Sequence, residues 1–180
     1  MKILENFSDA ELFLNRELSQ LAFNFRVLAQ ANDPNIPILE RLKYLCISCT
    51  NLDEFFEIRA ATVKTAMQYK APLLPDNMDP QAALEKIYTL SNQLVQEQYA
   101  LWNDVLRPEL SAAGIQILNR ETWTAAKKRW LHHYFKTEIM PVLSPLALDP
   151  AHPFPQILNK SLNVAVILEG KDAFGRKGGI

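Results

Sequence analysis

Glycine is absent from Met1 to Ala113, and all five glycines of this 180-residue chain lie at Gly114 or later. Glycine's main helical use is as a left-handed terminator, so so long a run without it fits helices closed by Ser, Asn, Asp and Pro. The first part therefore reads as all-helical. Charge shifts at the same place: residues 1–113 hold ten Lys/Arg and fifteen Asp/Glu, whereas 114–180 hold nine and five. We place a boundary near Ala112 to Gly114, giving one domain over 1–112 and a second over 113–180.

Three helical stretches follow from apolar spacing in the first domain. From about Arg16 to Ala31, Leu18, Leu21, Ala22, Phe25, Leu28 and Ala29 recur at three- and four-residue steps. Asn32-Asp33-Pro34-Asn35 stops that helix, because proline disfavours helical geometry in the residue before it. A second begins around Pro37 and runs towards Lys70, with Leu39, Leu42, Leu45, Cys46, Cys49, Leu52, Phe55 and Phe56 as its inward stripe and a kink expected near Thr50-Asn51. Asp79-Pro80 opens a third: the carboxylate can accept first-turn N–H groups, and proline at the first helical position forfeits an N–H that has no partner there. Leu84, Ile87, Leu94, Leu101 and Val105 carry it to about Ser111. Beyond Gly114 the sequence predicts a short apolar stretch at Ile115 to Leu118 and a helix from Glu121 to Ile139. Five prolines then fall between Pro141 and Pro155, and Ser161 to Leu168 reads as a strand in a domain that stops part-way.

The balance of 48% apolar and 22% charged residues is that of an ordinary globular protein, and 19 basic against 20 acidic side chains excludes a broadly basic nucleic-acid binder. The longest apolar run, Val164 to Leu168, is far short of the roughly 20 residues that span a bilayer. No secretory signal is evident at the start, and a cytoplasmic location is the default expectation.

Several residues could carry chemistry. Cys46 and Cys49 match C-x-x-C, but without further ligands or a strand before them they read as reduced, buried packing residues. His132 and His133 are adjacent, project about 100° apart on a helix and cannot share a metal. His152, in a stiff proline-rich segment, suits a structural hydrogen bond. Asp53, Glu54 and Glu57 form the densest acidic cluster and read as a solvated face near Arg59 and Lys64. Asn51 lies beside the inward stripe and offers both a donor and an acceptor, which suits either a local backbone role or the edge of an adenine. No phosphate-binding glycine loop or zinc-protease motif occurs, so the chain has no identifiable catalytic centre of its own.

Two ordered blocks carry a resemblance. Asn15-Arg-Glu-Leu-Ser-Gln-Leu-Ala-Phe-Asn-Phe-Arg-Val-Leu28, Pro37-Ile-Leu-Glu-Arg-Leu-Lys-Tyr-Leu45 and Thr50-Asn-Leu-Asp-Glu-Phe-Phe56 resemble the amino-terminal helical domain of bacterial polyphosphate kinases. Pro141 to Pro155 and Ser161 to Val166 are similar to the opening of that family's head domain. The resemblance implies a mainly α fold, an amino-terminal antiparallel helical bundle followed by a truncated α+β head domain. It implies reversible transfer of the terminal phosphate of ATP to inorganic polyphosphate through a phosphohistidine, with Mg and ATP/ADP. The histidine and metal ligands would lie in later domains, so no catalytic or metal residue is carried over, and the fragment alone should be inactive.

Asn51 aligns with the asparagine that the family uses at its ATP site, and the resemblance turns its reading towards ATP binding. Gln20 stands where the family commonly has tryptophan, which bears on local packing or an interdomain contact and is expected to leave Asn51 untouched. The family further implies a homo-oligomer formed through the full-length chain and a cytoplasmic location, with membrane association open for the parent complex. The rival reading is a stand-alone interaction module presenting the apolar stripe of the helix at 80–111 to a partner.

Overall fold

The structure is a computed structural model that describes residues 10–69, 76–146, 148, 153–158, 160–167 and 170. It divides into two compact units, Met1–Leu118 and Asn119–Ile180.

The first unit is an antiparallel helical bundle. Helix α1 (Arg16–Asn32) starts at Asn15, whose side-chain oxygen accepts from the Leu18 N–H at 3.0 Å while its Nδ2 donates to Asp76 at 2.7 Å. One short side chain thus caps the helix and ties down the segment ahead of the third rod. Asp33 closes the far end: its Oδ1 accepts from both the backbone N–H and the Nδ2 of Asn35, each at 2.9 Å. Helix α2 (Ile38–Glu54) passes through a π-helical turn at Phe55–Ala60 into α3 (Ala61–Gln68), forming the second rod. Helix α4 (Pro80–Ala100) passes through another at Leu101–Leu106 into α5 (Arg107–Ala112), forming the third. The Asp79 cap is as the sequence predicts, accepting from the Ala82 N–H at 3.1 Å with Pro80 in the first turn. Gly114, at φ +86°, ends α5: its N–H reaches the Ser111 carbonyl at 3.1 Å and the Ile115 N–H reaches that of Leu110 at 2.8 Å. The first glycine in the chain therefore acts as a left-handed terminator.

The buried seams explain why these rods pack side by side. On α1 the buried positions are Glu17, Leu21, Asn24, Leu28 and Ala31, stepping four, three, four, three. The second rod buries Arg41, Leu45, Ser48, Leu52 and Phe55 with the same steps, then moves five to Ala60 and three to Val63. The third buries Ile87, Ser91, Leu94, Gln98 and Leu101, then moves five to Leu106 and four to Leu110. A mean step of 3.5 falls slightly behind the 3.6 residues of an α-helical turn, so the seam drifts around the rod. Each five-residue step sits on a π turn, where the wider i→i+5 ring takes in one extra residue and brings the seam back.

This seam corrects three sequence readings. Leu39 is 55% exposed, and Cys46 and Cys49 are exposed rather than buried, because Arg41 and Ser48 take the inward positions beside Leu45 and Leu52. Ala22 and Ala29 face outward, displaced from the seam by Asn24 and Glu17. The irregularity expected at Thr50-Asn51 lies one turn later, at Phe55–Ala60. Arg41 is the polar staple at one end of the bundle. Its Nε donates to the Ala31 carbonyl at 2.9 Å, and its Nη1 meets Glu109 at 2.6 Å, joining α1, α2 and α5. The apolar stripe of the third rod, which the rival reading leaves open to a partner, is enclosed within the bundle: Ile87 and Leu94 are 0% exposed.

In the second unit, Thr124 caps α6 (Ala125–Tyr134) by accepting from the Lys127 N–H at 3.3 Å. The helix therefore begins at Ala125 rather than Glu121, and a short 3-10 turn occupies Arg120–Thr122. A π turn follows at Phe135–Ile139. No strand is present among the described residues, so the β contribution expected of the second domain is not seen there. Among the described residues, 161–167 have no ladder partner, and a strand needs a neighbour to satisfy its N–H and C=O groups. The described side chains are exposed apart from partly buried Trp123, Leu131 and Pro155.

Candidate functional site

Three polar side chains interrupt the apolar seam at one level of the bundle. Asn24 on α1, Ser48 on α2 and Gln98 on α4 are 3%, 0% and 5% exposed. Gln98 Nε2 donates to Ser48 Oγ at 2.9 Å, and Asn24 Nδ2 donates to the Ser48 backbone carbonyl at 2.9 Å. A buried amide without partners costs roughly 1–3 kcal/mol, so the mutual pairing is what makes this layer tolerable in the core. Asn51, half-buried and one turn beyond Ser48, extends the layer to the surface, its Nδ2 donating to Asn24 Oδ1 at 3.4 Å.

At that surface end lies a pocket of about 90 Å³ lined by Gln20, Leu21, Phe23, Asn24, Asn51 and Phe55. Small-molecule sites usually occupy about 300–1,000 Å³, so the pocket can grip one edge of a ligand and no more. The guanidinium of Arg26 stands 5.5 Å over the ring of Phe23, one of the lining residues. Gln20 and Asn51 line the same pocket. A larger groove of about 410 Å³ between α1 and the third rod carries Glu97 and Asp104 with Phe25 and Leu101. Two carboxylates there oppose any phosphate-bearing ligand.

The remaining candidates separate from this pocket. Asp53, Glu54 and Glu57 are exposed on the second rod, and His132 and His133 are exposed on α6. His152 lies outside the described residues. Among the described residues no three His, Cys, Asp or Glu side chains are grouped to hold a metal ion. Partial desolvation, reinforced by Cys46 and Asp53, raises the Cys49 thiol above its ordinary value of 9.0 and keeps it a protonated, weak nucleophile.

Residues 13–118 match the model of the polyphosphate kinase N-terminal domain, and 126–180 match that of the polyphosphate kinase middle domain. The chain belongs to the polyphosphate kinase family. A polyphosphate kinase from Xylella fastidiosa strain 9a5c is 59% identical over 98% of this chain and 25% of its own length. One from Neisseria gonorrhoeae is 50% identical over 93% of the chain and 24% of its own length. The crystal structure of polyphosphate kinase from Porphyromonas gingivalis superposes with a TM-score of 0.67 at 29% identity, covering 81% of this chain and 21% of that one. The chain thus spans about a quarter of the length of the curated relatives it matches.

Sequence reasoning singled out Asn51 but missed Asn24, Ser48 and Gln98. The available signal was a four-three seam in which polar residues fall at inward positions on all three rods. Reading only apolar residues discards it.

Proposed function

We propose that this chain is the amino-terminal part of a polyphosphate kinase and that its helical bundle forms one wall of the ATP site, with Asn51 contacting the nucleotide. The observation that carries the reading is the seating of Asn51. A neutral carboxamide reaches the surface at a pocket too small to enclose a ligand, held from beneath by a satisfied buried layer. Catalytic and binding groups work best when their supporting shell fixes them, and a neutral amide can hydrogen-bond a nucleotide without adding charge that opposes its phosphates.

In this reading the complete enzyme moves the terminal phosphate of ATP onto inorganic polyphosphate, reversibly, through a histidine outside this chain. Magnesium supplies charge neutralisation at the phosphates and is held by other domains. The working enzyme is a cytoplasmic homo-oligomer, and the 180-residue segment alone does not catalyse. No helix among the described residues is long and apolar enough to cross a membrane.

The decisive experiment places Asn51→Ala in the full-length enzyme. A rise in the KM for ATP of roughly tenfold, the scale of one lost ligand hydrogen bond, is expected. An unchanged KM and turnover would remove Asn51 from the site.

A further inference from the structure

We infer that the exposed side of α6 carrying Lys128, Arg129, His132, His133 and Lys136 is a binding surface for a chain of inorganic phosphates, the polymer for which this family is named. The inference goes beyond the proposed contact between Asn51 and ATP and does not depend on it.

Helical spacing assembles the surface. Residues three, four and seven apart share one side of a helix, so Arg129, His132, His133 and Lys136 form a stripe rising about 10 Å, with Lys128 flanking it. All five are exposed. Lys136 falls in the π turn at Phe135–Ile139, where the wider ring turns each residue slightly less and leaves it on the same side. Trp130 and Tyr134, stacked with ring centroids 5.2 Å apart, and partly buried Leu131 occupy the other side. Apolar area seeks cover, so α6 packs on a neighbouring layer through its aromatic side and turns the basic side to water.

Among the described residues, nothing answers these charges. Ala125 to Tyr134 includes three Lys/Arg and no Asp or Glu. None of Lys127, Lys128, Arg129 and Lys136 enters an ion pair with a described residue. Glu138 follows Lys136 by two residues and projects from the opposite side, and Glu121 belongs to the separate 3-10 turn at Arg120–Thr122. Lys127, Lys128 and Arg129 also fall within the first five residues of α6, where the helix dipole already concentrates positive charge. Such crowding opposes folding and favours an anion, and a succession of phosphates laid along the stripe meets its cations together. The two imidazoles add N–H donors. Single-stranded nucleic acid fits less well, because it gains much of its binding by stacking bases on aromatic rings, and here the two rings stack on each other on the far side.

The test measures binding of fluorescently labelled long-chain polyphosphate to the full-length enzyme by anisotropy at low salt, with folding followed by circular dichroism. Combined Lys128→Ala, Arg129→Ala and Lys136→Ala is expected to weaken binding by about tenfold, the sum of three exposed charge contacts, and to leave the KM for ATP unchanged. The gap between variant and wild type should close at high salt, where counterion release no longer drives association. Exchanging the charges in kind, Lys128→Arg, Arg129→Lys and Lys136→Arg, should keep wild-type affinity. Removing as many charges from the bundle, Lys43→Ala, Lys64→Ala and Lys86→Ala, should keep it too. If the triple alanine variant does not fold, Arg129→Gln decides, with an expected loss of about two- to threefold. A folded triple variant or an Arg129→Gln enzyme with wild-type affinity, an equal loss in the bundle variant, or displacement of the polymer by single-stranded DNA at equal phosphate concentration would overturn the surface. Binding is read without turnover, so a wild-type enzyme that grips the polymer through α6 but moves no phosphate removes the proposed reaction and leaves this surface standing.

Discussion

Ile87 and Trp130 both sit within helices, one in each unit, and their surroundings are opposite. Ile87 is fully enclosed, while Trp130 is 62% exposed and stacks on Tyr134, one helical turn away, with ring centroids 5.2 Å apart. The first unit brings three rods together within about a hundred residues, so each apolar seam finds two others. Among its described residues the second unit has one helix of length and irregular chain around it, leaving Leu146, Phe154, Leu158 and Val164 more than two-thirds exposed. A single helix cannot bury its own stripe, and apolar content without a facing layer does not make a core.

The sharpest way to break this comparison is to separate the units. Residues 10–118 alone are expected to unfold cooperatively in urea with helical circular dichroism, and residues 119–180 alone to show no cooperative transition. A cooperative second segment would reverse the distinction. Next in size, Leu94→Ala in the bundle should cost about 2–5 kcal/mol by denaturant titration, the usual range for a filled core site. Trp130→Ala should stay within about 0.5 kcal/mol, as exposed substitutions do. Arg41→Ala, which strips the Ala31 carbonyl and Glu109 of a partner, should cost about 1–3 kcal/mol. Glu109→Gln should cost less than about 1 kcal/mol, because that carboxylate is 46% exposed and water replaces the lost charge contact.

The smallest effect concerns Cys49. Its thiol is held above 9.0, so the folded chain keeps that proton more tightly than the unfolded one. The stabilisation is complete below the unfolded value and is lost as pH rises through the higher folded value. Cys49→Ser should flatten the decline in unfolding midpoint above pH 9 and leave the midpoint at neutral pH nearly unchanged. An identical decline in both proteins would assign it to other groups.

The three rods were largely legible in the residues: the Asp79-Pro80 start and the stop at Asn32 to Asn35 are local chemistry, and both hold. The inward positions of Arg41, Ser48 and Gln98 were not, because a polar residue declares itself buried only when a partner arrives from another rod. Cys46 and Cys49 misled for the converse reason, since their apolar character says nothing about which side of α2 the neighbours occupy. Asn51 was visible as chemistry, and its orientation became visible only when Asn24 and Ser48 were seen beneath it. The expected strand at 161–168 depended on a facing strand, which spacing within one segment cannot supply.

The two five-residue steps in the seam carry a consequence for how this family can vary in length. Each π turn holds one more residue than its rod needs to keep Phe55 and Ala60, or Leu101 and Leu106, on the same side. Excising a single outward residue there, such as Ile58, would leave the flanking seam positions four apart and still facing inward, with an unbroken α-helix in place of the wide turn. The same excision between Leu45 and Ser48 would swing everything beyond it by about 100° and empty the core. Single-residue gaps among relatives should therefore collect at 55–60 and 101–106, where the bundle has slack to give.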